Sequence, residues 1–224
     1  MARFEKLQVI NEIRNSGFVP IFSNPDFLVC IEVLNCCYKA GIRIFEFTNR
    51  GDCAHEIYAD LHAFAQKKFP DMILGAGSVI DASTASVFMQ LGANFIVSPI
   101  LDEAIGKICN RRKILWIPGC GSVSEISRAE ETGAEIIKIF PARAVGGPDF
   151  VKTVKGPMPW VKLMPTSAVE LNEASVSEWF TAGSFALGFG SILFTKELIR
   201  GKCWTEISAN LSQVSQWIAK HKPK

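Results

Sequence analysis

A lysine stands inside an apolar segment of the chain, where a charged side chain is unexpected. Lys138 lies between Ile137 and Ile139 in IIKIFPA (136–142), a stretch typical of a buried strand. A buried ammonium group is unfavourable unless it is paired or loses its proton, and burial lowers the pKa of an amine. An uncharged amine can attack a carbonyl carbon and form a Schiff base. The pattern therefore predicts covalent catalysis on a carbonyl substrate.

A glutamate occupies an equivalent position in an earlier segment. Glu46 lies between two phenylalanines in IRIFEFT (42–48). Side chains of a strand alternate between two faces, so the apolar neighbours of Glu46 and of Lys138 face a helix layer and the charged groups face a barrel interior. There a carboxylate could carry protons to and from a carbinolamine and an enamine. The alternative is a structural ion pair of Glu46 with Lys138 or Arg50, which would be weak support for stability.

The elements that must position these residues follow from the hydrophobic pattern. Eight short apolar segments rich in β-branched residues alternate with segments of helix length. These predicted strands are 18–22, 42–48, 72–78, 95–99, 114–119, 136–142, 160–166 and 184–191. Near-continuous apolar strands are typical of a parallel sheet covered by helices, and the first strand is not followed by the glycine-rich turn of a doubly wound fold. The sequence therefore predicts an α/β fold, a closed (β/α)8 TIM barrel, as a single domain over residues 1–224.

The helices have recognisable starts and stops. Segments 81–92 and 122–133 begin with Asp or Ser at a plausible N-cap and end at glycine, and 53–69 is a third helix-length segment. An N-terminal helix is predicted to close the bottom of the barrel, and residues 203–220 are predicted to form the last outer helix. The face of the N-terminal helix that should pack inward consists of Phe4, Leu7, Ile10 and Ile13.

Composition excludes several classes of protein. The chain of 224 residues has 48% hydrophobic residues and a net charge of only +2, without a basic-aromatic pattern, so we expect no nucleic-acid partner. No apolar run reaches the roughly 18 residues of a membrane span, so no membrane partner is expected. Seven cysteines without a C-x-x-C pair predict reduced thiols and a cytoplasmic location. The three histidines lack metal-ligand spacing, and no metal site is predicted.

Five motifs occur in a fixed order along the chain. They are FEFTNR (45–50), GAGSV (75–79), IVSP (96–99), IPGCGSVSE (117–125) and KIFPA (138–142), and they are followed by PT (165–166) and GFGS (188–191). In order and spacing, from about residue 18 to 195, the chain resembles the 2-keto-3-deoxy-6-phosphogluconate (KDPG) aldolases and the 4-hydroxy-2-oxoglutarate (KHG) aldolases grouped with them. The resemblance implies a class I aldolase, a lyase without metal or cofactor. Such an enzyme cleaves a 2-keto-4-hydroxy acid into pyruvate and an aldehyde, either glyceraldehyde 3-phosphate or glyoxylate.

The resemblance also implies a role for each site residue. Lys138 would form the imine with the C2 carbonyl of the keto-acid substrate, and Glu46 would be the general acid and base. The substrate-binding residues would be Arg50 and Ser78 at the pyruvate carboxylate, Pro99 and Phe140 in the apolar wall, Thr166 beside the substrate, and Ser191 with Ser167 toward the distal phosphate. Relatives with this motif set form trimers, so the resemblance further implies a homotrimer.

The loop after the seventh strand departs from the family pattern. The family usually has proline, threonine and two glycines, whereas this chain has Ser167 and Ala168 after Pro165-Thr166. Glycine permits a positive φ and a close approach of the backbone to a phosphate. Two readings follow: the loop keeps phosphate binding with an added Ser167 hydroxyl, or the substrate carries another distal group. The glycines at 146–147 and 188–190 leave room for an anion and favour the first reading.

Two other functions fit the same barrel. A phosphosugar isomerase or epimerase would need no imine and would tolerate replacement of Lys138 by arginine. A metabolite-binding barrel without catalysis would fit the altered loop at Ser167 and Ala168. The presence of Lys138, Glu46 and Arg50 favours the aldolase.

Overall fold

The strands are short, buried and parallel. In the computed structural model, which describes residues 2–223, the predicted strand 18–22 keeps its bounds and the other predicted strands are shorter than expected or divided. The strands are β1 Phe18–Phe22, β2 Ile44–Thr48, β3 Ile73–Gly77, β4 Phe95–Val97, β5 Leu115–Ile117, β6 Gly119–Cys120, β7 Ile137–Ile139, β8 Leu163–Pro165 and β9 Leu187–Phe189. The predicted fifth strand is divided, because Pro118 lacks the N–H that a strand needs and separates β5 from β6.

Helices connect the strands in sequence. They are α1 Lys6–Ser16, α2 Phe27–Lys39, α3 Ala54–Lys68, α4 Ala82–Gln90, α5 Glu103–Arg111, α6 Val123–Glu131, α7 Gly147–Lys155, α8 Glu173–Thr181, α9 Lys196–Arg200 and α10 Trp204–His221. The predicted caps are confirmed: Asp81 accepts a hydrogen bond from the Thr84 amide and Ser122 from the Glu125 amide. Each side-chain oxygen satisfies an amide that has no partner within the helix.

The strands form a curled parallel sheet in two sections. Hydrogen bonding orders one section β5-β4-β3-β2-β1-β9 and the other β6-β7-β8. A parallel bridge between Thr166 and Gly188 connects β8 with β9. The fold is therefore α/β with a parallel sheet that curls, and its strand ends meet along one edge.

The register decides which side chains share the inner face of the sheet. Glu46 is opposite Ile21 on β1 and Gly75 on β3. Lys138 is opposite Gly119 on β6 and Met164 on β8. Since facing residues of neighbouring strands point to the same side, the alternation continues around the sheet through the bridge between β8 and β9. Glu46 and Lys138 therefore point inward from different strands.

The N-terminal segment packs inward with Phe4, Ile10 and Ile13 as predicted, but not with Leu7. Val9, Ile10 and Ile13 are buried, whereas Leu7 is exposed, so the expectation for Leu7 was wrong. Phe4 lies before the first residue of the helix. The backbone amides of Arg3 and Phe4 donate hydrogen bonds to the buried Asn94 Oδ1 at 2.9 and 3.0 Å. This anchor holds the segment before α1.

Candidate active site

Lys138 lies on the inner face of the sheet beside an aromatic ring. Its side chain is buried at 6% relative exposure, and its Nζ lies 5.2 Å from the centre of the Phe140 ring. Within residues 2–223, the amine has no carboxylate oxygen within 4.0 Å. An ammonium that is buried but not neutralised by an adjacent carboxylate is suited to chemistry rather than to a structural ion pair.

Glu46 is a fully buried carboxyl group. Among the described residues, neither Oε1 nor Oε2 has a hydrogen-bond partner. Burial raises the pKa of Glu46 above its ordinary value of 4.5, while the positive charges of Lys138 and Arg50 lower it less strongly. The group therefore holds a proton more tightly than an exposed glutamate, and it lies close enough to Lys138 and Arg50 to sense their charges. Among the described residues, Glu46 forms no ion pair with Lys138 or Arg50, so the alternative of a structural ion pair is wrong.

A glycine makes room for the Glu46 carboxyl group. A Cβ atom at Gly77 would overlap the Glu46 side chain, and Gly77 is opposite Thr48 in the next strand. Gly119 similarly makes room for the backbone of Pro99, and Gly119 is opposite Lys138. Gly77 thus accommodates the Glu46 side chain on the inner face, and Gly119 lets the Pro99 backbone approach the strand beside Lys138.

The residues assigned to a carboxylate lie at the ends of β2 and β3. Arg50 Nε donates to Ser78 Oγ at 3.4 Å, and Arg50 is exposed. Ser78 adopts a φ of 56°, which turns the chain immediately after β3. The forked donors of an arginine suit a planar carboxylate, and the serine hydroxyl adds a further donor. The structure therefore brings Arg50 and Ser78 together at the strand ends on the Glu46 side of the sheet.

The distal residues line a separate part of the strand edge. Thr166 is buried after β8, where it bridges to Gly188, and a Cβ atom at Gly188 would overlap its side chain. Ser167 and Ser191 are exposed and line a cleft of about 520 Å³. We call this the distal cleft; it is lined by Arg143, Ser167, Ala168, Val169, Glu170, Gly188, Gly190, Ser191 and Ile192.

Ser167 keeps a backbone shape that glycine would favour. Its φ is 66°, in the left-handed region that is unfavourable for residues with a side chain. The loop after β8 therefore turns as a glycine-containing loop could, and the serine carries its hydroxyl into the cleft. Serine at this position therefore changes the chemical groups that the loop presents to the cleft more than it changes the path of the backbone.

Two charged residues of the distal cleft were not predicted from the sequence. Arg143 follows the KIFPA motif directly, and Glu170 follows Val169 in the altered loop. Their side chains form an ion pair with 2.7 Å between Arg143 Nη2 and Glu170 Oε1. Their positions just after strand ends could have indicated that they belong to the site, because functional polar residues of such folds lie there. Among residues 2–223, no three His, Cys, Asp or Glu side chains are grouped as a metal site.

Comparisons with known proteins show which family this chain is similar to. A family model described as KDPG and KHG aldolase matches residues 9–210. The chain is 30% identical over 210 residues to the 2-dehydro-3-deoxy-phosphogluconate aldolase of Treponema pallidum (strain Nichols), covering 94% of this chain and 97% of the relative. It is 34% identical over 151 residues to the KHG/KDPG aldolase of Escherichia coli (strain K12), covering 67% and 69% of the two chains.

A solved structure shows the same fold with a trapped intermediate. The KDPG aldolase from Legionella pneumophila, with pyruvate captured at low pH as a covalent carbinolamine, superposes with a TM-score of 0.82 and 25% identity. The similarity covers 92% of this chain and 97% of the Legionella chain. Because the family model spans most of the chain and the relatives match over comparable lengths, the chain belongs to the KDPG and KHG aldolase family.

Proposed function

We propose that this chain is a Schiff-base aldolase that cleaves a 2-keto-4-hydroxy acid into pyruvate and an aldehyde. One observation carries the proposal: a buried lysine without a carboxylate partner shares the inner face of the sheet with a buried, unpaired glutamate. Family membership supports it, since the relatives are named aldolases and the Legionella enzyme holds pyruvate as a carbinolamine.

The proposed reaction uses the lysine as the electron sink. Lys138 Nζ attacks the C2 carbonyl, and loss of water from the carbinolamine leaves a protonated imine. Glu46 takes the proton of the C4 hydroxyl through water as the C3–C4 bond breaks, and the electron pair of that bond moves into the imine to give an enamine. The aldehyde leaves, Glu46 returns the proton to C3, and hydrolysis of the imine releases pyruvate and the free amine.

The remaining residues position the substrate in this proposal. Arg50 and Ser78 hold the pyruvate carboxylate, as their mutual contact at the ends of β2 and β3 supports. Pro99 and Phe140 form the apolar wall: both are partly buried, the Phe140 ring lies beside Lys138, and the Pro99 backbone lies against Gly119, which pairs with Lys138. Thr166 lies against the substrate chain. Ser167 and Ser191 contact the distal part of the substrate in the distal cleft.

We further infer that the curled sheet closes into one (β/α)8 TIM barrel. The bridge between Thr166 and Gly188 supports closure on one side, together with the Phe185 amide donating to the Leu163 carbonyl at 2.8 Å. On the other side, Pro118 alone separates β5 from β6. Helix α1 acts as the predicted cap, held by Asn94. The domain spans 1–224, of which Met1 and Lys224 lie outside the described residues.

A homotrimer fits a row of exposed apolar residues. Ile80 and Ile100 follow the neighbouring strands β3 and β4, Val123 follows β6 in the other section of the sheet, and the three side chains are 58%, 47% and 46% exposed. We call this row the apolar rim. Apolar side chains exposed side by side at strand ends are typical of a surface that another subunit covers. We propose that a second copy of this chain covers the rim.

We propose that the protein is located in the cytoplasm. Its support is that all seven cysteines are free thiols in the structure; five of them are buried, on α2, α5 and β6. Among the described helices, none is long and apolar enough to cross a membrane.

A pyruvate-release assay with Lys138→Arg tests the proposed reaction. Arginine keeps the positive charge but cannot form the imine, so we expect turnover of 2-keto-3-deoxy acids and of 4-hydroxy-2-oxoglutarate to fall to background. An isomerase or epimerase would retain activity with arginine at this position. Appreciable pyruvate release by the variant would therefore refute the proposed role of Lys138.

A further inference from the structure

The distal cleft adjoins the proposed reaction centre at Gly188, which lines the cleft and pairs with the inward-facing Thr166. Thr166 stands between the two, because it is buried on the inner face and its bridge partner Gly188 also lines the cleft. A substrate attached to Lys138 through C2 would therefore extend past Thr166 into the cleft. The cleft volume of about 520 Å³ accommodates a tail of several hydroxylated carbons. The residues that line the cleft are those that select the tail.

The charges that line the distal cleft cancel. Arg143 is the one cationic residue of the cleft lining in the described part of the chain, and Glu170 is its one acidic residue. The two form an ion pair at 2.7 Å, with side chains 73% and 58% exposed. An ion pair this exposed is weak, so an incoming anion could draw Arg143 away from its partner.

Glu170 would remain in the cleft if Arg143 moved. Its backbone amide donates to Ser175 Oγ at 3.0 Å, and its Oε2 accepts a hydrogen bond from Asn172 Nδ2 at 3.3 Å. Both partners lie on the α8 side of the cleft and are independent of Arg143. A dianionic phosphate that recruits Arg143 would therefore face an uncompensated carboxylate, and like charges at close range repel.

The glycine pair before α7 offers little to a phosphate. The amide of Gly147 donates to the Ala142 carbonyl at 2.9 Å, and the amide of Gly146 donates to the Arg143 carbonyl at 3.4 Å. Pro148 follows and has no N–H, so the start of α7 presents fewer donors than an ordinary helix. These glycines therefore serve the turn itself, and they do not restore the positive potential that the ion pair removes.

Building on the aldolase function proposed above, we infer that the distal cleft selects an uncharged, polyhydroxylated tail over a phosphorylated one. Hydroxyl groups both donate and accept hydrogen bonds. They can donate to Glu170 and accept from Arg143 and from the hydroxyls of Ser167 and Ser191 while the ion pair stays formed. A phosphate carries a charge of about −2 and only accepts, so Glu170 opposes it. The preferred substrate class is the unphosphorylated 2-keto-3-deoxy sugar acids.

The test compares kcat/KM for 2-keto-3-deoxygluconate and its 6-phosphate with purified full-length protein. We expect the wild type to prefer the unphosphorylated acid. Glu170→Gln removes the repulsion and frees Arg143, so the ratio should shift toward the phosphate by about tenfold or more. The double variant Glu170→Gln/Arg143→Ala should lose most of that gain. Glu206→Gln, an exposed acid-to-amide change on α10, serves as the matched control and should leave the ratio unchanged.

Two results would overturn the inference. One is a wild type that prefers the phosphorylated acid, and the other is a ratio that Glu170→Gln and Glu170→Ala both leave unchanged. Reductive trapping of pyruvate on the wild type separates this inference from the aldolase proposal, because pyruvate does not reach the distal cleft. A wild type that traps pyruvate but shows the wrong ratio refutes the tail preference alone. Absence of trapping refutes the proposed function itself.

Discussion

At the scale of single residues, Glu46 illustrates a conflict between function and stability. Its two oxygens are buried without a hydrogen bond in the described chain, and burial raises its pKa. A buried polar group without a partner lowers the free energy of unfolding. This arrangement is unfavourable for folding, but it places a proton carrier on the same inner face as Lys138. Such a conflict is typical of an active site.

Glu46→Gln should therefore stabilise the protein and inactivate it. Because the pKa of Glu46 is raised on folding from 4.5, the folded state binds this proton more tightly, so stability falls as pH rises through the raised value. We expect the variant to have a higher Tm than the wild type at neutral pH, with the difference vanishing well below pH 4.5. Turnover should fall about 10²–10⁴-fold because the general acid and base is lost.

Thermal unfolding across this pH range and the pyruvate-release assay provide the two measurements. The exposed Glu206→Gln variant controls for the loss of one negative charge and should change neither quantity. A Glu46→Gln protein with wild-type turnover would contradict the proton-transfer role. A Tm below that of the wild type at neutral pH would contradict the view that burial dominates the pKa shift.

At the scale of elements, Asn94 connects the start of the chain to the sheet. Asn94→Ala leaves the amides of Arg3 and Phe4 and the Leu74 carbonyl without this partner. The Leu74 carbonyl keeps the hydrogen bond from the backbone amide of residue 94, so the loss lies mainly at the amides of Arg3 and Phe4, and we expect the free energy of unfolding to fall by roughly 1–3 kcal/mol. Urea denaturation measures this loss.

The half-buried Asn110 provides the control for Asn94→Ala. It makes a single side-chain hydrogen bond, to the Thr132 carbonyl, so Asn110→Ala should have the smaller effect. Equal losses would show that the anchor of α1 contributes little.

The same contacts explain why the face of α1 could be predicted only in part from its sequence. The spacing of Phe4, Leu7, Ile10 and Ile13 fits one helical face, but the helix begins only at Lys6 and buries Val9 with Ile10 and Ile13. The segment before the helix is held by Asn94, which lies 90 residues beyond Phe4 along the chain. A local pattern contains no information about such a long-range hydrogen bond.

At the scale of the whole molecule, the homotrimer that the family resemblance implies needs a surface that another copy covers, and we propose the apolar rim as that surface. We expect the native protein to have three times the 24.7 kDa mass of the chain. Ile80→Asp combined with Ile100→Asp should shift the mass in light scattering toward the monomer, because a charge buried at an interface is strongly unfavourable. Leu7→Asp changes an equally exposed apolar residue on α1, outside the rim, and should leave the mass unchanged. A wild-type protein that is monomeric would contradict the trimer.

The sequence was most informative where geometry is strictly periodic. Strand alternation gave the inward orientation of Lys138 and Glu46, because the two-residue period holds in any strand. The pairing of Arg143 with Glu170 was not predictable, since 27 residues separate them and only the folded chain brings their loops together. The division of the fifth strand at Pro118 depends on sheet hydrogen bonds that an apolar run does not specify. Periodicity thus predicts orientation within an element, whereas contacts between loops require the tertiary structure.

Borohydride reduction in the presence of pyruvate tests the central claim most directly. The imine between pyruvate and the Lys138 amine would be reduced to a stable secondary amine, and mass spectrometry would locate it on the peptide that contains IIKIFPA. We predict one adduct per chain at Lys138, absent without pyruvate and absent in Lys138→Arg. A wild-type protein that remains unmodified, or an adduct on a different lysine, would contradict the account.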